Sequence, residues 1–450
     1  MSRSYHLTTL GCAKNQVDSD KLEAMLAAAG YEAVATAEQA DVVMVNTCAF
    51  IEDARRESVE TILEVQDARR PGAHTIVLGC MAQRFGVDVA AALPEVDAVL
   101  GLDRYGELVA TMDRLTGWKP VEIRRRRPLM DILHQVDRVA PSTPYAYVKV
   151  AEGCDKPCTF CAIPLIRGAQ RSRRPIEIRQ EVEGLTAAGV SEIVLVAQDL
   201  AAYGRDLEPA PRRPGIIDLL ESLSEVDGLQ AMRLLYLYPR EISPELISTM
   251  ASNPRVASYF DLSLQHATQR LLRAMKRPGG GERYRQLIDQ IRSEAPDAAL
   301  RSSFIVGFPG ETDEDVEELA EFLQDASLDW AGFFPYSPEQ GTPAAELEGR
   351  ISPEEVGERL RHLQGVQEEI TAAANLDQVG EVVEVLVDMV EDGLPVGRSY
   401  RQAPEIDGMI TLDRGEPGEW VTAEVIGAFG ADIEARVLTG TGSWRLETTA

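Results

Sequence analysis

Cys154, Cys158 and Cys161 stand in a C-x3-C-x2-C spacing directly behind the apolar run 146–150. A strand must therefore deliver a short loop in which three thiols converge. The spacing is too tight for three independent structural cysteines, and it leaves a tetrahedral metal or a cubane cluster one ligand short, as a cluster that binds something else requires. A structural zinc would want a fourth Cys or His close by. The nearest candidate, His134, lies in a linker-like segment with no matching spacing. Buried or disulfide-paired thiols are the competing reading, and it fits poorly with a chain that looks intracellular.

The other three cysteines, Cys12, Cys48 and Cys80, are far apart, yet each ends a strand-like apolar run (5–10, 42–45 and 76–78) and precedes a helical pattern. Alternating strand and helix means a parallel sheet, whose ligand sites lie beyond the carboxyl ends of the strands. Three thiols at three such ends meet in one crevice; three unrelated buried thiols are the plainer alternative. Asn15, Asn46 and Thr47 stand beside them, either to hydrogen-bond what the thiols hold or to cap loops and helices.

Around the tight trio the residues Gly153-Cys154-Asp155-x-Pro157-Cys158-x-Phe160-Cys161-Ala162-Ile163-Pro164, then Arg167-Gly168 and Ser172-Arg173, resemble the radical S-adenosylmethionine enzymes, specifically the methylthiotransferases. The amino-terminal pattern Thr9-Leu10-Gly11-Cys12-Ala13-Lys14-Asn15-Gln16-x-Asp18-Ser19, with Asn46-Thr47-Cys48-Ala49-Phe50-Ile51 and Gly79-Cys80-Met81-Ala82-Gln83-Arg84, is similar to the same family. The resemblance implies two [4Fe-4S] clusters. One, on Cys154, Cys158 and Cys161, leaves an iron for S-adenosyl-L-methionine and generates a 5'-deoxyadenosyl radical. The other, on Cys12, Cys48 and Cys80, leaves an iron for the sulfur that is methylated and transferred.

From residue 145 onward six apolar strand candidates, 145–150, 193–197, 233–238, 260–264, 300–306 and 331–336, each precede a helical stretch, giving a partial barrel with its chemistry at the carboxyl ends of the strands. Phe160, Gln198, Gln265 and Gly307 are the candidate cofactor-binding residues on those loops. Gly307-Phe308-Pro309-Gly310-Glu311-Thr312 either lets backbone approach a nucleoside or is a turn before a capped helix. Gln265-His266-Ala267 looks like a family signature, with His266 equally readable as a packing residue. Residues 271–275 read as a helix core stripe. After Gln198-Asp199 the family usually carries hydroxyl-bearing residues where this chain has Leu200-Ala201-Ala202, which removes any side-chain hydrogen bond there.

The expected class is α/β: an N-terminal open parallel α/β domain (1–123), a linker (124–143) containing four consecutive arginines, a central radical-SAM partial (βα)6 TIM-like barrel (144–376) and a small antiparallel β-barrel (377–450). The last part, through Val396-Gly397-Arg398-Ser399-Tyr400-Arg401-Gln402-Ala403-Pro404-Glu405-Ile406-Asp407-Gly408, resembles the TRAM domain that closes methylthiotransferases. Such domains often bind RNA, but residues 378–450 hold 14 acidic against 5 basic side chains, a poor surface for releasing counterions from a phosphate backbone.

Across the chain 73 acidic residues face 45 basic ones, a net charge of −28 that suits a basic partner, although solubility alone also explains it. Residues 403–408 resemble the family branch that methylthiolates the β-carbon of an aspartate in small-ribosomal-subunit protein S-twelve. That carbon bears no hydrogen acidic enough for ordinary acid-base groups, so a radical route fits. The alternatives are methylthiolation of a modified adenosine beside the tRNA anticodon, and a non-catalytic iron-sulfur carrier or scaffold. The implied partners are the S-twelve protein, a reduced flavodoxin- or ferredoxin-type electron donor and a sulfur donor, with tRNA only under the alternative. With no basic-then-apolar leader and no run of about 18 apolar residues, the chain is expected to be cytoplasmic, without a membrane partner.

Overall fold

A computed structural model describes residues 3–117, 133, 136, 138, 139, 141–209 and 213–440. The arginine run 124–127 and His134 lie outside the described residues. The amino-terminal runs form a five-stranded parallel sheet in the spatial order Glu32–Ala33, Ser4–Thr9, Val42–Thr47, His74–Leu78, Ala98–Leu100. The helices Ala13–Ala28, Glu52–Ala68 and Gly79–Ala92 follow three of these strands. Val42–Thr47 is buried along its whole length, as the central strand of a two-sided parallel sheet must be.

The second unit holds the six expected strands: Tyr145–Lys149, Glu192–Val196, Ala231–Leu234, Tyr259–Gln265, Ala299–Val306 and Trp330–Pro335. The first three and the last three form parallel sheets in chain order, and a bridge between Leu237 and Leu262 joins the halves. Alternation along the strands decides what fills each side. Ala146, Val148, Ile193, Leu195, Leu262 and Phe304 pack outward with the helices. Tyr145, Tyr147, Val194, Val196, Tyr259 and Trp330 point inward, into a cluster shared with Val17 of the first domain and with Leu386, Ala403 and Trp420 of the last.

The last unit is a closed five-stranded barrel: Val382–Glu391, Leu394–Arg398, Ile410–Leu412, Trp420–Phe429 and Asp432–Gly440. Four ladders are antiparallel and one, Ile410–Leu412 with Asp432–Gly440, runs parallel. Its segment 399–407 is driven into the amino end of the six-stranded barrel. Tyr147 donates to Pro404 O at 3.2 Å, Arg233 to Tyr400 O at 2.7 Å, Trp330 Nε1 to Arg401 O at 2.7 Å and Tyr259 to Asp407 at 2.5 Å. Two buried ion clusters hold the seam. Arg398 bridges Glu192 and Asp388, and Arg301 lies between Asp261 and Asp407. No described helix is long and apolar enough to cross a membrane.

Candidate functional site

Cys12 caps the amino end of Ala13–Ala28, Cys48 follows Val42–Thr47, and Cys80 lies in the first turn of Gly79–Ala92. The parallel sheet brings them together at its carboxyl edge. Cys48 feels Cys80, Cys12 and Arg167 electrostatically, Cys80 feels Arg167 and Cys12, and Cys12 feels Arg167. Gly11 (φ +91°) makes the approach possible, since a Cβ there would stand 2.7 Å from the Cys48 Cβ and 2.9 Å from its Sγ. Gly79 (φ +93°) would likewise press on Thr47 O at 2.6 Å.

Asn15, Asn46 and Thr47 tie these strand ends to one another. Asn15 Nδ2 donates to Leu10 O and Thr47 O, Asn46 Nδ2 donates to Ser19 Oγ and Asn15 O, and Thr47 Oγ1 donates to Leu78 O. Of the three, only Asn15 reaches a thiol, its Oδ1 accepting from Cys80 Sγ at 3.6 Å. Burial pushes the Cys48 thiol up to about 12 and raises Cys80. At Cys12 burial also pushes upward, but Lys14, Arg167 and the amides of Asn15 and Lys14 at the helix amino end outweigh it, and the pKa falls. Cys12 is solvent-accessible while deep among protein atoms, as a thiol on a cleft wall is.

The tight trio follows Ala151–Glu152 in the loop above the first barrel strand. Gly153 (φ +78°) turns the chain where a Cβ would overlap the Ala169 carbonyl. Thr159 N donates to Met275 O and Thr159 Oγ1 to Ala274 O, fixing the loop to the helix Gln269–Ala274. The half-buried Phe160 packs against the main core. Cys161 is pushed up to about 12 and Cys154 is raised, both chiefly by burial. Arg277 Nη1 donates to Cys158 Sγ at 3.4 Å.

A buried ion network joins the two thiol sets. Arg167 donates to Glu152 Oε1 at 2.8 Å, Asn15 Oδ1 at 2.7 Å, Cys80 Sγ at 3.3 Å and Asp18 Oδ2 at 3.4 Å. Lys149 pairs with Asp18 and, at 2.6 Å, with Glu152. Burial alone would raise Glu152, but Arg167 and Lys149 hold its carboxyl well below the usual range. Gln198 Nε2 also donates to Glu152 Oε1, at 3.1 Å. Gln265 adopts φ +74° at the end of its strand.

His266 is fully buried, accepting from Thr268 N at 3.1 Å beside Glu311. Leu271, Leu272 and Met275 are buried, as a core stripe should be. The glycine at 307 has a packing reason: a Cβ there would meet Val356 Cγ2 of the helix Pro353–Leu376 at 2.5 Å. Leu200-Ala201-Ala202 form a buried turn. Lys149, Glu152, Asp18 and Arg277 were not singled out from the sequence. Only Lys149, a charge inside the apolar run 146–150, gave a signal. Among the described residues no three His, Cys, Asp or Glu side chains converge tightly enough for a single metal ion.

Family models match in three places: "Uncharacterized protein family UPF0004" at residues 4–101, "Radical SAM superfamily" at 148–323 and "TRAM domain" at 379–438. The chain is similar to the ribosomal protein uS12 methylthiotransferase RimO of Streptomyces griseus, 40% identical with 96% of this chain and 97% of the relative covered. It is similar to that of Desulforudis audaxviator too, at 43% identity with 96% of each covered. Among solved structures, the radical S-adenosylmethionine methyltransferase TsrM of Kitasatospora setae shares the fold, with a TM-score of 0.55 and 16% identity over 76% of this chain and 74% of that one. Matched along nearly its whole length by such relatives, the chain is a radical S-adenosylmethionine methylthiotransferase and belongs to the family of ribosomal protein uS12 methylthiotransferases.

Proposed function

We propose that this enzyme places a methylthio group on the β-carbon of an aspartate in ribosomal protein uS12, using two [4Fe-4S] clusters held by Cys12, Cys48, Cys80 and by Cys154, Cys158, Cys161. The observation that carries the reading is the Arg167 side chain, which touches a thiol of the first set and the carboxylate of Glu152 beside the second. The donor sets fit clusters. Among the described residues each offers three thiols with no fourth Cys, and a cubane spreads its thiolates over separate irons rather than around one ion.

When bound, these groups supply a one-electron cleavage of S-adenosyl-L-methionine at the second set and a methyl-accepting sulfur at the first. The chain's own residues prepare both places. Buried thiols kept protonated by desolvation give up protons only to a metal, so loading is coupled to proton release. Arg167, Arg277 and the helix amides at Cys12 place positive charge beside sulfurs that carry negative charge once loaded. Gln198, held on Glu152, and Phe160 stand on the loops assigned to S-adenosyl-L-methionine.

The acidic end domain suits a basic ribosomal protein, a reduced flavodoxin- or ferredoxin-type protein gives the electron, a separate donor gives sulfur, and the reaction is cytoplasmic. Mass spectrometry of ribosomal protein and of tRNA nucleosides from cells with and without the gene tests the substrate. Loss of the methylthio group from the aspartate-bearing peptide is the expected result. Its loss from a tRNA base, with the peptide unchanged, overturns the assignment.

A further inference from the structure

Lys14 is a buried cation with no carboxylate partner among the described residues. Its ammonium lies 3.5 Å from Ala197 O and 3.8 Å from the centre of the Tyr236 ring, and its residue is 7% exposed. Three neighbouring buried cations are paired with carboxylates: Lys149 with Asp18 and Glu152, Lys21 with Glu181, Arg167 with Asp18 and Glu152. The electrostatic partners of Lys14 are the Cys12 thiol and, less strongly, Glu152; an ammonium with no carboxylate in contact is costly to bury, and an arriving carboxylate lowers that cost.

The position also matters. Lys14 is two residues past Cys12, whose thiol opens on the cleft. Ala197 directly follows the second barrel strand, and Tyr236, held at φ +62°, follows the third. The ammonium thus stands between the first thiol set and the carboxyl end of the barrel.

We propose that Lys14, backed by the face of Tyr236, is the subsite for the side-chain carboxylate of the acceptor aspartate; this rests on the substrate reading above. The carboxyl carbon is bonded to the β-carbon, so anchoring the one positions the other. An ammonium offers three donors without the fixed fork of a guanidinium, and a carboxylate can turn on it until its β-carbon faces the cleft. A neutral amide in the same place gains far less, so the subsite selects aspartate over asparagine.

The test measures binding without turnover. Holoenzyme with both clusters is titrated with a synthetic peptide spanning the modified aspartate and with the same peptide carrying asparagine. Wild type, Lys14→Met and Lys14→Arg are compared, and the reduced clusters are checked by electron paramagnetic resonance. Lys14→Met is expected to weaken the aspartate peptide roughly 10- to 100-fold and leave the asparagine peptide unchanged, with both clusters still present and Lys14→Arg regaining part of the preference. Equal weakening of both peptides, or a shifted cluster signal with the preference kept, assigns Lys14 to cluster charge balance and overturns the proposal. If wild type binds neither peptide, the substrate reading itself falls.

Discussion

Arg167→Met keeps the length of the side chain and removes one charge from the middle of the buried network. As folded, Asp18 and Glu152 are balanced by Lys149 and Arg167. Without Arg167, two carboxylates share one lysine in a site closed to water, and Asn15 Oδ1 loses its 2.7 Å donor. Removing one partner of a buried pair costs about 3–5 kcal/mol. At about 2–4 °C per kcal/mol for a unit of this size, the transition that includes the barrel should fall by roughly 6–20 °C. The measurement is calorimetry of cluster-free protein at neutral pH, each transition read separately because the chain has several units. Glu152→Gln in the same background should restore part of the loss, because it removes the carboxylate left over. A transition within about 2 °C of wild type, or strict additivity of the two substitutions, refutes the charge-balance argument.

Gly11→Ala drives a Cβ onto Cys48; iron bound after reconstitution should drop by about half while 5'-deoxyadenosine formation persists, both read on one sample. Glu181 is pulled down to about 2: burial pushes it up, and Arg173, Lys21 and Arg138 more than reverse that. Its folded pKa lies below the ordinary 4.5, so its contribution of about 3 kcal/mol is present above pH 4.5 and lost as pH falls through about 2. Denaturant curves of wild type and Glu181→Gln should therefore differ most near neutrality and converge toward pH 2. Trp420 donates to Ser191 Oγ at 3.1 Å and fills the inner cluster. Trp420→Ala should cost about 3–5 kcal/mol, seen as simultaneous loss of the barrel and end-domain signals; an end domain melting alone would contradict the described seam.

The thiols and the six barrel strands were legible because each rests on a short-range pattern: a spacing of three and four residues, or an apolar run closed by a turn. The helix Ala13–Ala28 shows where such reading stops. Lys14, Asn15, Asp18, Asp20 and Lys21 are all buried in it, so polar periodicity marks its inner face rather than its outer one. Asp18, Asp20 and Lys21 are paired with residues more than a hundred positions away, namely Lys149, Arg138 and Glu181. Arg277 gave no signal at all, since only the fold brings it to Cys158. Gly307 reads equally well as room for a ligand and as room for Val356, and only coordinates decide what occupies the space.

The segment 399–407, seated in the foot of the barrel by Tyr147, Arg233, Tyr259 and Trp330, turns that barrel into a vessel with a stoppered base. Under the proposed function, S-adenosyl-L-methionine, the acceptor and the spent nucleoside then share the opposite rim, and each turnover becomes a queue on that side. An end domain that serves as the stopper is also hard to exchange. A chimera that borrows it from the tRNA-modifying branch would have to bring the matching barrel floor as well.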